Sequence, residues 1–241
     1  MTLEELEKKY KQVCRLKDGN YNVSTKTREE VTPVEYTAHT NIDEVYGKEG
    51  EWGLVDQEGN MIIEPKYTYP FIECGDYYQV MLPEEYKLIE GREKVLTLKH
   101  GIIDKKGNIV IPIKYLYLEA MDNSGEYFRV VDKETYKSGV LDKNNKVVIP
   151  FQYDFIQATP DIGLRIRNEK YDEYPWHINQ VKVDKNDLYG IYDLRLKKEI
   201  IKPKYKLIEI ISYNRFLVGE DYESLNTIID ENENIIRDFT S

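Results

Sequence analysis

A short module recurs five times along this chain and constrains its fold more than any other feature. Each copy has a glycine or a residue in its place, two apolar residues, an aspartate, a polar turn and a β-branched run. The five copies begin with Trp52-Gly-Leu-Val-Asp56, His100-Gly-Ile-Ile-Asp104, Ser138-Gly-Val-Leu-Asp142, Tyr189-Gly-Ile-Tyr-Asp193 and Asn226-Thr-Ile-Ile-Asp230. Self-similarity at such a period indicates a repeat architecture.

Each module is predicted to form a β-hairpin. In the second copy, two β-branched runs flank Asp104-Lys-Lys-Gly107, whose glycine suits the left-handed position of a type I turn with a bulge. Asn145 can take that position in the third copy, and the turn aspartate can accept backbone N–H groups. The fourth copy has a turn one residue longer, after Asp193.

Prolines and further apolar runs follow most hairpins. A proline lacks an N–H group, so it is expected to end the pairing of the second strand, at Pro65, Pro112, Pro150 and Pro203. A tyrosine and a third apolar run come next, and a fourth run is predicted in Tyr127-Phe-Arg-Val-Val, Leu164-Arg-Ile and Arg215-Phe-Leu-Val. Each unit should therefore hold three or four short antiparallel strands.

Two insertions interrupt the regular spacing. The turn aspartates lie 48, 38, 51 and 37 residues apart, and the extra length enters at residues 82–99 and 167–188. The insertions are two repeats apart, so regular stacking of the units would project both from comparable places on the array.

The amino-terminal segment is predicted to be helical. Apolar residues at helical spacing indicate one amphipathic helix over residues 2–17, with Thr2 and Glu5 as a capping box. Cys14 falls on its apolar side, and Gly19 suits the left-handed position after a helix. The helix is expected to cap the exposed end of the repeat array.

We therefore divide the chain into two parts. Residues 1–30 hold the helix and a linker, and residues 31–241 form the β-repeat domain. Within the domain a partial unit covers residues 31–47, because Pro33-Val-Glu-Tyr36 is similar to Pro112-Ile-Lys-Tyr115. Complete units begin near residues 51, 99, 137, 188 and 225.

The modules resemble the WG-repeat family of bacterial β-rich proteins, whose units carry a Trp-Gly step, an apolar-apolar-Asp run, a Gly-Asn turn and a Pro-x-x-Tyr ending. The best match is Glu51-Trp-Gly-Leu-Val-Asp-Gln-Glu-Gly-Asn-Met-Ile-Ile-Glu-Pro-Lys-Tyr67. The tryptophan is replaced by His100, Ser138, Tyr189 and Asn226, and the last copy also loses the glycine. The resemblance implies a non-catalytic scaffold with no shared ligand and no active-site residues to carry over.

The expected fold is an all-β repeat protein of about five units with one amino-terminal capping helix. Sheets that repeat at this period either close into a propeller or stack into an open superhelix. The truncated start and the unequal unit lengths favour a curved array that is open or incompletely closed.

The amino-acid composition limits the classes of molecule that this chain is expected to bind. The formal net charge of −10 argues against nucleic acid and against an anionic membrane, since both bind clustered lysine and arginine. A basic or charge-mixed protein fits better. The two cysteines, Cys14 and Cys74, form neither a disulfide framework nor a metal-binding pair, and the first residues have acids where a signal peptide needs a basic region. We therefore expect a cytoplasmic protein.

No motif for catalysis, a metal or a cofactor stands out. The turn aspartates do not match a full calcium-binding loop, and turn capping explains them better. His39, His100 and His177 are far apart in sequence, and His100 occupies the tryptophan position, where a packing role is expected. No nucleophile with a base is recognisable, and no glycine-rich phosphate loop leads into a helix. We predict that the chain is not an enzyme.

The insertions hold the predicted binding residues. Aromatic residues on a loop that the scaffold does not require are typical binding anchors. The second insertion supplies Tyr171, Tyr174, Trp176 and His177, although a hairpin whose Trp176 packs on its own unit is an equal alternative. The first insertion supplies Glu84, Glu85 and Tyr86, on a segment predicted to be either a short helix or a hairpin tip with a solvated charged face.

Two functions compete on this basis. The first is a non-catalytic scaffold that binds another protein, for example an immunity protein that neutralises a basic bacterial toxin. The alternative is a module that binds carbohydrate or a small ligand with stacked aromatic residues. The alternative predicts that Trp52 or Trp176 is exposed beside convergent acids.

Overall fold

The computed structural model describes residues 2–25, 46–47, 52–89, 92–121, 124–157, 179–221 and 224–239. The chain divides into unit 1, residues 1–125 and 143–145, and unit 2, residues 126–142 and 146–241. One short helix precedes a series of antiparallel sheets, so the predicted all-β repeat class is confirmed.

The helix α1 spans Leu3–Lys9 and begins with the predicted capping box. The Glu5 N–H donates to the Thr2 hydroxyl over 3.2 Å, and the Thr2 N–H donates to the Glu5 carboxylate over 2.8 Å. Leu6 is fully buried against residues of the first sheet, including Val23 and Val55. The helix therefore covers that sheet through one apolar side chain.

The predicted helix over residues 2–17 is too long. Gln12–Arg15 form strand β1 and pair with Tyr21–Ser24, strand β2. Gly19 does adopt a left-handed conformation, with φ +93°, but in the turn between these strands rather than after a helix. Backbone pairing with β2 outweighs the weak helical periodicity of this segment. Cys14, expected in the core, is consequently exposed.

Unit 1 contains two sheets and a further strand. The first sheet has the order β1-β2-β4-β5, with β4 at Trp52–Val55 and β5 at Met61–Tyr67. The second sheet contains β3 (Tyr46–Gly47), β6 (Ile72–Cys74), β7 (Tyr77–Ile89), β8 (Arg92–Asp104) and β9 (Ile109–Tyr115). Its centre is the pair of β7 and β8; β6 pairs with β7, and both β3 and β9 pair with β8. The further strand is β10 (Tyr117–Ala120).

Unit 2 contains three sets of antiparallel strands, which we call the third, fourth and fifth sheets. The third includes β11 (Tyr127–Val131), β12 (Ser138–Asp142) and β13 (Val147–Tyr153). The fourth is β14 (Phe155–Gln157), β15 (Gln180–Lys185), β16 (Leu188–Asp193) and β17 (Lys198–Tyr205). The fifth is β18 (Leu207–Ser212), β19 (Arg215–Gly219), β20 (Thr227–Asp230) and β21 (Ile235–Asp238).

The sheets are shifted along the chain by about half a module relative to the units defined from the sequence. The fourth sheet begins at Phe155, just after the tyrosine that ends the third copy, and it finishes at Tyr205, the tyrosine of the fourth copy. Its last two strands are the module hairpin, and its first two strands follow the preceding module. The strand that pairs with this hairpin is Gln180–Lys185, not the predicted Leu164-Arg-Ile, which lies outside the described residues.

The module turns have the predicted geometry. In the second copy the Asp104 N–H donates to the Asn108 carbonyl and the Gly107 N–H donates to the Asp104 carbonyl, over 2.9 and 3.0 Å. The Asp104 carboxylate accepts the Asn108 backbone N–H over 2.8 Å. Gly107 has φ +87°, and Asn145 takes φ +60° at the same position of the third copy. The carboxylates therefore cap turns, as the sequence indicated.

The module glycine lies beneath a bulge. In the first copy Leu54 pairs with Ile63 and Trp52 pairs with Tyr67, so three residues of β5 stand opposite Gly53. A Cβ atom on Gly53 would lie 2.6 Å from the Ile63 carbonyl oxygen and 2.8 Å from the Pro65 nitrogen. The same bulge recurs in the next three copies. The prolines are part of these bulged strands and do not end them, because pairing resumes at the tyrosine.

A side chain at one repeated position joins successive sheets within each unit. Four polar residues stand opposite the aliphatic residue that follows the module glycine: Asn22, Gln79, Arg129 and Lys182. The Asn22 amide donates to the Phe71 carbonyl over 3.1 Å and accepts the Phe71 N–H over 3.0 Å. In unit 2, Lys182 forms an ion pair of 2.9 Å with Glu209. We call these residues the staple residues.

The two insertions do not occupy comparable places, which corrects the expectation from their spacing. The first extends the β7–β8 hairpin, between the second and third strands of the second sheet. The second lies between β14 and β15, the first and second strands of the fourth sheet. Successive connections of an antiparallel sheet lie at opposite ends of its strands, so the insertions leave their sheets at different ends.

Candidate functional site

The structure places only part of the predicted binding residues. Tyr171, Tyr174, Trp176 and His177 lie outside the described residues, as do most of the partial unit 31–47 and His39. The first insertion is a hairpin rather than a helix, with Glu84, Glu85 and Tyr86 on β7. Glu84 is half-buried, and the backbones of Glu85 and Tyr86 pair with Thr97 and Val95 on β8.

Two aromatic positions of the module belong to the core. His100 is buried, as its packing interpretation predicts, with its ring 5.6 Å from that of Tyr117. Trp52 is only 5% exposed and pairs with Tyr67. Trp52 therefore offers no surface for stacking a sugar, which removes one of the two residues on which the carbohydrate reading depended.

Cys74, which precedes Gly75, lies in the core of unit 1. Its side chain is buried, and burial raises the pKa of its thiol to about 11. A thiol with such a pKa is protonated at neutral pH, and protonated thiols are weak nucleophiles. Cys74 is accordingly a core residue of the second sheet.

An open cleft of about 740 Å³ lies on the fifth sheet. We call it the terminal cleft. Four parts of unit 2 line it: the end of β17, the end of β19 and the residues after it, the strand β20, and the strand β21 with the turn before it. The lining residues are Lys204, Tyr205, Val218, Glu220, Asp221, Asn226, Thr227, Ile229, Glu233, Ile235 and Asp238. Four carboxylates and one lysine give the lining an acidic balance.

The terminal cleft coincides with the copy that departs furthest from the module. Asn226 stands at the tryptophan position and Thr227 at the glycine position. Arg237 pairs with Ile228, where the four other copies have a buried isoleucine: Ile63, Ile111, Ile149 and Ile201. Asn226 and Thr227 line the cleft, and the small Asn226 leaves open the place that a tryptophan takes in the first copy. Arg237 lies on the opposite face, because its partner Ile228 alternates with Thr227 and Ile229 along the strand. Asn226 and Thr227 were the sequence signal for the site, and they were interpreted only as losses.

A hydrogen-bonded group occupies one end of the terminal cleft. Lys204 forms an ion pair with Glu233, and the Tyr205 hydroxyl donates to the same carboxylate over 3.1 Å. The hydrogen bond between Lys204 and Glu233 raises the pKa of Lys204. The pKa of Tyr205 is raised mainly by burial and secondly by its own hydrogen bond to Glu233. Glu233 is therefore held in place, and it has φ +63°, a left-handed conformation uncommon for glutamate.

Exposed apolar side chains lie on β21 and just after it, and Ile235 among them lines the terminal cleft. Ile235 is 67% exposed and Ile236 is 49% exposed, both on β21, and Phe239 just beyond is 50% exposed. The Phe239 N–H donates to the Asn226 carbonyl over 2.8 Å, so Phe239 takes the cross-strand place that a buried tyrosine holds in the first three copies. An acidic cleft with an apolar border suits a protein segment better than a small polar molecule.

The end of the second insertion is anchored to unit 2. The Leu194 N–H donates to the Asn179 carbonyl over 2.6 Å. The side chain of Gln180 is buried and donates to Asn214 over 2.5 Å and to Asp193 over 3.5 Å. Any replacement of this insertion has to keep Asn179 and Gln180, because both contribute to the fold.

The described residues contain neither a metal-binding cluster nor a membrane-spanning helix. No group of three or more His, Cys, Asp or Glu side chains in these ranges is placed to hold a metal ion. Among the same residues, no helix has the length and apolar character needed to cross a membrane.

Comparisons with known proteins agree with the repeat pattern. The model of the WG containing repeat family matches residues 52–79, 101–136 and 139–160. No curated protein matches the sequence. A solved structure described as the crystal structure of the eukaryotic initiation factor is similar at 11% identity, with a TM-score of 0.35 over 95% of this chain and 73% of the other. A score this low assigns neither fold nor function. Three segments of this chain, all within residues 52–160, are therefore similar to the WG containing repeat, in agreement with the bulged hairpin that recurs in the structure.

Proposed function

We propose that this chain is a non-catalytic, cytoplasmic scaffold that binds another protein, and that the partner is basic. The observation that carries the proposal is the terminal cleft, whose lining holds four carboxylates, Glu220, Asp221, Glu233 and Asp238, against one lysine. The free cysteines, one buried and one exposed, are consistent with a reducing compartment.

The charge of the whole chain supports the same partner. A net charge of −10 attracts basic proteins over a distance and speeds their association at low salt. The terminal cleft then supplies fixed carboxylates beside apolar surface, the combination that gives a protein interface both register and affinity. A more specific form of the proposal is an immunity protein that blocks a basic bacterial toxin.

Affinity capture from the native host lysate, followed by titration calorimetry with the captured protein, tests this proposal. The test variant combines Glu220→Gln with Asp238→Asn in the terminal cleft. The matched control combines Glu58→Gln with Asp76→Asn, which removes the same charge from two exposed residues of unit 1. We expect the cleft variant to weaken binding at least tenfold and the control to change it less than twofold. Equal affinities in the two variants would refute the cleft as the binding site.

A second variant tests the contribution of the insertion. Residues 168–177 are replaced by a Gly/Ser linker of equal length, while Asn179 and Gln180 are kept for their contacts. Loss of the captured partner would place an anchor among Tyr171, Tyr174, Trp176 and His177. Unchanged binding would exclude these four residues as anchors. For the toxin form, the captured protein must be toxic when expressed alone and harmless when co-expressed with this chain.

A further inference from the structure

Prolines protect the last strand of four sheets but not of the fifth. The strands β5, β9, β13 and β17 contain, respectively, Pro65, Pro112, Pro150 and Pro203. A proline and a bulge both interrupt the row of backbone groups at a sheet edge, and natural proteins use them to prevent pairing with another chain. β21 contains no proline in its sequence Ile235-Ile-Arg-Asp238.

β21 also lacks the module bulge. Thr227 pairs with Asp238 and Ile228 pairs with Arg237 in regular register, where the earlier copies place three residues opposite their glycine. The only register shift of this pair lies nearer the turn, between Ile228 and Ile229. Within the described residues, β21 pairs with β20 and with no other strand. The fifth sheet therefore ends in a strand that lacks both the proline and the bulge beside the module glycine position.

The side chains of β21 are exposed as well as its edge. Every residue of the strand is exposed, and two of its four residues are isoleucines. The equivalent first position of other last strands is also exposed, with Val147 at 53%. In the strand of Val147, however, the next two residues, Val148 and Ile149, are buried and the proline follows. Exposed apolar side chains on an unprotected edge are typical of a site for strand addition.

We propose that β21 binds an extended, basic segment of the partner as an additional antiparallel or parallel strand. The occupant is argued from charge complementarity, since the terminal cleft beside β21 is lined by Glu220, Asp221, Glu233 and Asp238. Backbone hydrogen bonds to β21 supply affinity, and basic side chains of the added strand are attracted by the carboxylates nearest the edge, Asp238 on β21 and Glu233 in the turn before it. This inference rests on the proposed function for the sign of the partner's charge.

A synthetic peptide of alternating lysine and valine, seven residues long with blocked ends, is the probe. The intact chain is titrated with this peptide, and amide hydrogen exchange is measured with and without it. We expect binding and at least a tenfold slowing of exchange within residues 235–238. A matched peptide with glutamate in place of lysine is expected to bind at least tenfold more weakly.

Two variants locate the added strand. Ile235→Lys places a positive charge on the edge and should weaken binding of the lysine peptide at least tenfold, whereas Val147→Lys makes the same change at the equivalent position of the third sheet and should not. Ile236→Pro should abolish binding, and circular dichroism establishes that this variant is folded. If Ile235→Lys and Val147→Lys bind equally, β21 is not the site.

The remaining outcomes separate this inference from the proposed function. Peptide binding that depends on Glu220 and Asp238 but leaves exchange at residues 235–238 unchanged would keep the basic partner and overturn strand addition. Capture of a host partner through the terminal cleft without any peptide binding would do the same. A concentration-dependent dimer that Ile236→Pro abolishes would assign the edge to a second copy of this chain, which also overturns the proposal.

Discussion

In the fourth copy of the module Tyr189 pairs with Tyr205 across a bulge that lies over Gly190, whereas in the fifth copy Thr227 pairs with Asp238 in regular register. Both copies are hairpins of one unit with a turn capped by an aspartate. The first keeps an isoleucine buried beneath the neighbouring strands and the second has an arginine in its place. The glycine therefore specifies the bulge, and the bulge brings the tyrosine back into the ladder.

The largest loss of stability is expected from a substitution of the module glycine in the fourth copy. A Cβ atom on Gly190 would lie 2.6 Å from the Pro203 nitrogen and 2.8 Å from the Lys202 carbonyl carbon. Backbone atoms cannot move aside as a flexible side chain can, so we expect Gly190→Thr to lower the free energy of unfolding by about 3 kcal/mol. Urea denaturation followed by circular dichroism measures the change.

The reverse substitution in the fifth copy is the control. Thr227 already carries the side chain that Gly190→Thr introduces, and no bulge lies over it. We expect Thr227→Gly to cost only about 1 kcal/mol, the price of a flexible residue in a strand. Equal losses from the two substitutions would mean that the bulge does not require the glycine.

The second largest effect concerns the staple residues, which the fifth sheet lacks. Asn22→Leu leaves the Phe71 N–H and carbonyl without their side-chain partner in a buried place. Buried backbone groups without a partner are costly, so we expect a loss of about 2 kcal/mol. At the same position the fifth sheet has Leu217, opposite Ile228. The control Leu217→Asn should cost about 1 kcal/mol or less, and a larger loss than that of Asn22→Leu would contradict the staple interpretation.

The periodic parts of this fold could be predicted from the sequence because they are local. The turn of Asp104 to Gly107 depends on a few adjacent residues, and its geometry is the one its composition demands. The staple residues could not be found in this way. Asn22 and Lys182 look like ordinary polar residues in short strands, and their role depends on sheets that lie beside them only after folding.

The candidate site was missed for a related reason. The aromatic residues of the insertions suggested binding anchors, whereas Asn226 and Thr227 were interpreted as a weakened repeat. The consequence of a lost glycine, and of an arginine where the other copies have a buried isoleucine, appears only when the strand register is known. The error over residues 2–17 has a related origin, since the hairpin of β1 and β2 is completed by β4, which pairs with β2 from residues 52–55.

A smaller effect is expected at the tyrosine that ends the module. Tyr153 is fully buried and its hydroxyl donates to Glu199 over 2.5 Å, whereas the corresponding Phe239 of the fifth copy is half exposed. Tyr153→Phe removes one hydrogen bond to a charged group, which should cost about 1.5 kcal/mol. Phe239→Tyr should change the free energy of unfolding by less than about 0.5 kcal/mol, as surface substitutions usually do. Urea denaturation of both variants measures the difference.

The smallest effect is a pH dependence shared by ordinary and degenerate copies. The amide of Asn108 lowers the pKa of Asp104, and the amide of Asn234 lowers the pKa of Asp230 in the fifth copy. A carboxyl whose pKa is lowered by folding contributes stability above its unfolded pKa of about 3.9, and that contribution is lost as the pH falls through the folded pKa. We therefore expect Asp104→Asn to reduce the urea midpoint at pH 7 and to have a smaller effect as the pH falls below the unfolded pKa.

The cause of that pH dependence can be isolated by removing the donor. Asn108→Ala deletes the amide that makes the largest single contribution to the lowered pKa of Asp104, so the NMR titration of this carboxyl should shift towards its ordinary pKa. Asn234→Ala should shift Asp230 in the same direction, because its turn has the same hydrogen bonds. If only the second copy responds, the two turns differ electrostatically despite their common geometry. If both respond, the divergence of the fifth copy is confined to its strands, where the bulge and the terminal cleft lie.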